Sequence, residues 1–259
     1  GVGGFRGEQV VDNDAIVGPI DSSDEWIRQR TGIITRRRAN PDTTILDMAI
    51  AAANDALEAA GVTPDQIDVV LLSTVTYFEQ TPSLAARLAD AIGATPAAAY
   101  DVSAACAGYC YGIGQADALV RSGQARNVLV VGVERMSDFI DPTDRSISFL
   151  LGDGAGAAVV GPSDTPGIAP TVWGSDGSLA GHITQTTPWL ALRQDEGDGV
   201  PASVAAATWP TLRQEGPSVF KWVISSIPAI ARQAVEAAGL ELSDIEVFIP
   251  HQANMRIID

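Results

Sequence analysis

Apolar positions along the chain follow two periods, which predict alternating strands and helices. Residues 69–75 and 128–133 are apolar runs of the kind found in strands buried on both faces of a sheet. Residues 97–102, 157–160, 168–176 and 247–250 predict further strands, and Gly1-Val2-Gly3-Gly4-Phe5 reads as the tail of another. Helical spacing shows first in 43–60, where Ile45, Met48, Ala49, Ala52 and Ala56 share a face and Gly61 supplies the stop. Residues 83–92, 106–121 and 218–238 predict three more helices, with a kink expected at Pro228. A short helix over 21–30 is marked by Asp21, Ser22 and Ser23 at its cap and by acids in its first turn. From about 179 to 216 neither period holds. This polar insertion carries Pro188, Pro201 and Pro210, with Trp189 and Trp209 inside it and Trp173 just ahead. Strands alternating with helices point to an α/β fold.

The pattern also repeats. Ala56-Leu57-Glu58-Ala59-Ala60-Gly61 is matched by Ala234-Val235-Glu236-Ala237-Ala238-Gly239. At the same offset, Ile67-Asp68-Val69-Val70-Leu71 is matched by Ile245-Glu246-Val247-Phe248-Ile249. A helix, a glycine stop, a linker and a strand recurring in register indicate an internal duplication. Two halves are expected, residues 1–165 and residues 166–259. The second copy runs only a little past its strand, so the second half is expected to be incomplete in this sequence.

Composition narrows the possibilities. The 259 residues suit one large α/β domain or two smaller ones, and 46% are apolar, enough for an aliphatic core. The net charge of −16 argues against non-specific nucleic-acid binding, so an anionic ligand has to be met by a local basic cluster. Cys106 and Cys110 stand four apart on one expected helix and make no disulfide framework. With His182 and His251 as the two histidines, a tetrahedral zinc site is not expected. No apolar run approaches the ~20 residues that span a bilayer. No signal peptide is apparent, and a reducing cytoplasm is the expected compartment. Two glycine-rich stretches are not phosphate cradles. The first has Arg6 where a third glycine would stand, and Gly152-Asp153-Gly154-Ala155-Gly156 leads into a strand, where close backbone packing beside the Cys106 turn is expected.

The candidate chemistry centres on Asp101-Val102-Ser103-Ala104-Ala105-Cys106-Ala107-Gly108-Tyr109, which reads as a strand end, a tight turn and the first turn of a helix. Unpaired N–H groups and the helix dipole favour a thiolate there, so the Cys106 pKa is expected to fall. Taken alone, the stretch fits a buried inert cysteine equally well. His251 follows Pro250 at a second strand end and falls opposite Ser73 in the duplicate alignment. A cysteine and a histidine at the carboxyl ends of strands could form a nucleophile–base pair, and a capping or packing role for His251 stays open.

Asp101-Val102-Ser103-Ala104-Ala105-Cys106-Ala107-Gly108, Gly152-Asp153-Gly154-Ala155-Gly156-Ala157 and Pro250-His251-Gln252-Ala253-Asn254-Met255-Arg256 resemble β-ketoacyl-acyl-carrier-protein synthase III of the thiolase superfamily. So do Ser23-Asp24-Glu25-Trp26-Ile27 and Arg30-Thr31-Gly32-Ile33. The resemblance implies an α-β-α-β-α sandwich of two halves, each with a five-stranded sheet. It implies that Cys106 is acylated by an acyl-CoA and that the acyl group condenses with malonyl-acyl-carrier-protein after loss of CO2. His251 would stabilise the developing enolate oxygen. The family's third catalytic residue, an Asn in a Gly-Asn-Thr-Ser motif, would lie past the end of this sequence. Asn254 would lie near the pantetheine arm. Trp26, Arg30 and Arg145 would hold the adenine end of CoA, and Lys221 with Arg256 would meet the carrier protein. Thr81 stands where some relatives carry a bulky Phe that closes the acyl pocket across a dimer interface, which implies a longer or wider primer pocket. No cofactor is implied beyond the CoA thioester and the carrier's phosphopantetheine. A homodimer is implied.

Two alternatives accompany this reading. One is a relative in polyketide or other secondary metabolism that uses an unusual starter or transfers acyl groups to oxygen or nitrogen. The other is a non-catalytic partner subunit, against which the presence of both Cys106 and His251 argues.

Overall fold

All five residues of the strand Val69–Ser73 are buried, and the structure is layered around it. The computed structural model describes residues 1–165, 167–192 and 209–258. Pro166 at the expected boundary between halves, Pro201 of the insertion and Asp259 lie outside the described residues. The strands are β1 (Val2–Arg6), β2 (Gln9–Asp12), β3 (Thr35–Arg38), β4 (Val69–Ser73), β5 (Ala98–Val102), β6 (Val128–Arg135), β7 (Asp153–Val160), β8 (Ile183–Gln185) and β9 (Leu212–Gln214). The α-helices are α1 (Asp14–Val17), α2 (Asp24–Thr31), α3 (Ile45–Ala60), α4 (Leu84–Ile92), α5 (Gly108–Arg121), α6 (Gly216–Ala237) and α7 (Met255–Ile258).

One five-stranded sheet runs in the order β1-β7-β6-β4-β5. β6, β4 and β5 are mutually parallel, and β7 and β1 are added antiparallel. The period-2 pleat of β4 sends Val70 and Leu72 to one face, against α3 and α4. Val69 and Leu71 go to the other, against Ala116 and Ile113 of α5. Full burial of Leu71 and of Leu72 contributes about 1.5–3 kcal/mol each. A third cluster of Ile16, Ile20, Ile27 and Phe149 forms a small lobe, with Trp26 packed against it.

Local sequence explains the helix bounds. Thr44 and Asp47 form a reciprocal capping box at the start of α3, and Gly61 closes it at φ +63°. Ser23 accepts from the Trp26 N–H at the start of α2, and Ser83 from the Ala86 N–H at the start of α4.

Several expectations need correction. The apolar segment 168–176 is not a strand. It runs along α5, where Arg121 donates to the Ile168 carbonyl, Tyr111 donates to the Gly174 carbonyl and Trp173 stacks on Tyr111. Residues 247–250 are not a buried strand either. Val247, Phe248 and Ile249 are 71%, 64% and 79% exposed, because no strand pairs with them among the described residues. The long helix is as expected: α6 is continuous, with Pro228 inside it. Gly152 packs its backbone against Arg37 of β3, where an added Cβ would sit 2.5 Å from a carbonyl oxygen, and not against the Cys106 turn. The insertion contributes the β8–β9 pair and two tryptophans, Trp189 and Trp209, that cluster with Phe78 and Phe139.

Candidate functional site

The carboxyl ends of the three parallel strands meet at one edge of the sheet, the edge at which open α/β sheets bind ligands. β5 delivers the cysteine. Its Asp101 carboxylate accepts from the backbone N–H groups of Leu84 and Ala85, at 2.9 and 2.8 Å, and so locks the strand end to the start of α4. Ala105 follows at φ +44°, a left-handed conformation rare for a residue with a side chain. Cys106 sits in the middle of a 3₁₀ turn, Ala105–Ala107, two residues before α5 begins and not inside its first turn. Gly108 opens α5 directly against Ser73 at the end of β4.

The expected fall in the Cys106 pKa is reversed. The residue is exposed at the surface, yet enough protein surrounds its sulfur that burial pushes the thiol up. The backbone N–H of Cys106 opposes this and the charge of Glu134 adds to it. Glu134 is a residue the sequence patterns did not single out. Its carboxylate takes the Val75 N–H at 2.9 Å, the Thr76 hydroxyl at 2.5 Å and the Thr74 hydroxyl at 3.2 Å. It thereby pins the loop that leaves β4 beside Ser73. Burial pushes the Glu134 carboxyl up, against these hydrogen bonds. An acid at the end of the apolar run 128–133 was the one signal that could have found it.

Trp26, Arg30 and Arg145 lie together in the structure. The guanidinium carbons of Arg30 and Arg145 lie 4.7 and 5.0 Å from the centre of the Trp26 ring. Phe149 meets the same ring edge-on at 5.4 Å. This is an aromatic plane with two exposed cations, in a chain otherwise strongly acidic.

His251 lies in an irregular segment ahead of α7, exposed at its outer side. Burial of the rest of the ring lowers its pKa, with no hydrogen bond or charge contributing. The ring is therefore neutral at neutral pH. The Asn254 Oδ1 accepts from the Arg256 N–H at 2.9 Å and caps the short helix. Arg256 stacks over Phe220 at 4.9 Å, and Phe220 adjoins Lys221 on α6. Met255 abuts Gly32, where an added Cβ would lie 2.8 Å from the Met255 Cβ. The segment bearing Asn254 and Arg256 thus touches the end of the helix that bears Trp26 and Arg30. Thr81 is exposed on the loop between β4 and α4. Among the described residues no group of three or more His, Cys, Asp or Glu could hold a metal ion. No helix among them is long and apolar enough to cross a membrane.

A mixed five-stranded sheet between helical layers, with a cysteine on a strained turn at its parallel edge, defines a thiolase-like enzyme. The family model described as 3-oxoacyl-[acyl-carrier-protein] synthase III matches residues 100–177, the stretch that holds this turn. A beta-ketoacyl-[acyl-carrier-protein] synthase III of Kocuria rhizophila is 54% identical over all of this chain and 77% of its own length. One from Streptomyces glaucescens is 49% identical over all of this chain and 75% of its own. Among solved structures, the priming beta-ketosynthase of the R1128 polyketide biosynthetic pathway superposes with a TM-score of 0.93 at 48% identity, covering 100% of this chain and 75% of that one. A synthase III of Thermus thermophilus gives 0.87 at 37% identity, covering 99% and 77%. The chain belongs to the β-ketoacyl-acyl-carrier-protein synthase III family.

Proposed function

We propose that this chain takes an acyl group from an acyl-CoA onto Cys106 and condenses it, with loss of CO2, onto malonyl-acyl-carrier-protein, the step that initiates fatty-acid synthesis. The observation that carries this reading is 54% identity, along the whole chain, to a relative named for that activity. In the first stage the Cys106 sulfur attacks the thioester carbonyl, the carbon–sulfur bond to CoA breaks, and CoA leaves as its thiol with the cysteine's proton. In the second, the malonyl carboxylate leaves as CO2 and the enolate carbon attacks the acyl-Cys. The cysteine is released and a β-ketoacyl thioester remains on the carrier. The reaction needs no cofactor beyond its two thioesters.

The remaining roles are assigned by family resemblance, with the geometry of Trp26 in support. The His251 imidazole, in the tautomer protonated at Nε2, can donate Nε2–H to the enolate oxygen. Trp26 between Arg30 and Arg145 offers a plane for a base and two cations for phosphates. Asn254 would line the pantetheine path, and Lys221 with Arg256 would face the acidic carrier. Thr81, small where a bulky Phe would narrow the pocket, would admit primers longer or more branched than acetyl. We assign residues 1–165 and 166–259 to the two halves of the thiolase architecture, and the protein to the cytoplasm as a homodimer.

Intact-mass spectrometry after incubation with acetyl-, longer and branched acyl-CoAs tests the reading. An adduct is expected on Cys106 and none in C106S. No adduct from any acyl-CoA would overturn it. A strong preference for acetyl-CoA would overturn the assignment of Thr81. A second reading, priming of a polyketide pathway, is favoured by the 0.93 superposition on a priming ketosynthase. The two separate on which carrier protein accepts the condensed product.

A further inference from the structure

Behind the Trp26 clamp lies a buried polar junction. Asn13, only 1% exposed, donates its amide hydrogens to Asp24 Oδ1 at 2.7 Å and to the Ile33 carbonyl at 2.9 Å. Its amide oxygen accepts from Arg36 Nη2 at 2.6 Å. Arg36, 6% exposed, also donates to the Val11 carbonyl and to the Phe149 carbonyl, both at 3.2 Å. The partners fix the chemistry. Asp24 and Ile33 offer acceptors where an ionised carboxylate and a carbonyl stand, and Arg36 offers donors alone, so an amide is required at position 13. An aspartate there could meet Arg36 but could not donate to Asp24 or Ile33.

Two of the segments tied together hold one side chain: α2, which bears Trp26, and the segment of Phe149, whose ring meets it. Asp24 is in the first turn of α2, two residues before Trp26, and Ile33 follows the exit of the same helix. Phe149, whose carbonyl Arg36 holds, is the ring set edge-on against Trp26. It lies four residues past Arg145, the second cation on that indole. The junction therefore grips the backbone on both sides of the clamp, while neither Asn13 nor Arg36 reaches its open face. Burying a guanidinium carries a desolvation cost that an apolar contact would avoid, and a fixed geometry is what such a network supplies in return.

We propose that Asn13 and Arg36 are positioning residues for acyl-CoA binding, holding the indole of Trp26 in register with Arg30 and Arg145. The proposal rests on reading those three residues as contacts to the nucleotide end of CoA.

The test compares acylation of Cys106 by acyl-CoA and by the corresponding acyl-pantetheine, which lacks the nucleotide, in the intact protein. In N13D, which keeps the Arg36 contact but loses two donations and faces Asp24 with a second carboxylate, KM for acyl-CoA is expected to rise about fivefold to tenfold. The rate with acyl-pantetheine is expected to stay within about twofold of wild type. The reciprocal variant N13D/D24N, which restores a donor–acceptor pair, is expected to recover part of the loss. Should N13D fail to fold, R36K is read in the same way, since it keeps the charge but cannot reach all three oxygens. A fall of equal size with both donors, or an unchanged preference for acyl-CoA, would overturn the proposal. Wild-type protein that uses the two donors equally well would overturn the clamp reading itself, and this proposal with it.

Discussion

Gly108, the first residue of α5, rests on Ser73, the last residue of β4, so closely that a Cβ on Gly108 would overlap the Ser73 hydroxyl. The backbone of Gly108 is at φ −61°, which any residue adopts, so contact and not conformation demands glycine there. G108A is therefore expected to push the Cys106 turn off the strand end, at a stability cost of about 1–3 kcal/mol, as overpacking does. Acylation of Cys106 should fall at least about tenfold, since small displacements at a reacting centre cost that much. S73A/G108A should recover part of the loss, because the Ser73 Cβ would still stand 2.8 Å from the new methyl. S73G/G108A should recover more. Acylation of G108A at the wild-type rate would sink the idea.

Burial raises the thiol of Cys106, so the unliganded protein holds it protonated at neutral pH. In a C110S background, the rate of iodoacetamide alkylation should climb with a midpoint above the value of a free cysteine, about 8.5. The Glu134 carboxylate raises the thiol further, because one negative charge disfavours another nearby. E134Q should therefore move the midpoint down. A wild-type midpoint below that of free cysteine would restore the simpler picture, in which the helix end alone activates the sulfur.

That sulfur shows where sequence patterns stop being informative. The sheet was legible because β4 and β6 carry unbroken apolar runs, and α3 because Thr44, Asp47 and Gly61 spell out both of its ends. The meeting of Arg145 with Trp26 was legible only through family likeness, since nothing in spacing brings the two together. Strand-like composition misled at 168–176 and 247–250, because a strand exists through its neighbour and composition does not say whether one is present. Asn13 and Arg36 are 23 residues apart, and a hydrogen bond across that gap leaves no periodic trace. The direction of the Cys106 shift was missed for a related reason. The dipole is written in the helix, whereas desolvation depends on everything that packs around the turn.

Asp101 ties the nucleophile strand to α4 through two backbone N–H groups at that helix's start. Both bonds are charge-assisted, and the carboxylate also complements the helix dipole. D101N keeps one acceptor, loses the charge and sets an NH2 group against a donor. It is expected to cost about 1–3 kcal/mol in urea unfolding, and D101A somewhat more. Because Asp101 is five residues from Cys106, the acylation rate of D101N should fall as well. A variant with lost stability and an unchanged acylation rate would show that the α4 junction does not position the turn.

His251 carries the most direct pH prediction. Burial disfavours the imidazolium, so the folded pKa lies below the ordinary histidine value of about 6.5. Between those two values the unfolded chain binds more protons than the folded one. Stability from this group is therefore fully present above about 6.5 and is lost as pH falls through the folded pKa. An NMR titration of the His251 ring should give a midpoint below about 6.5. The fall in urea midpoint between neutral and mildly acid pH should be smaller in H251Q than in wild type. A ring that titrates at or above the free-histidine value would remove the stability slope.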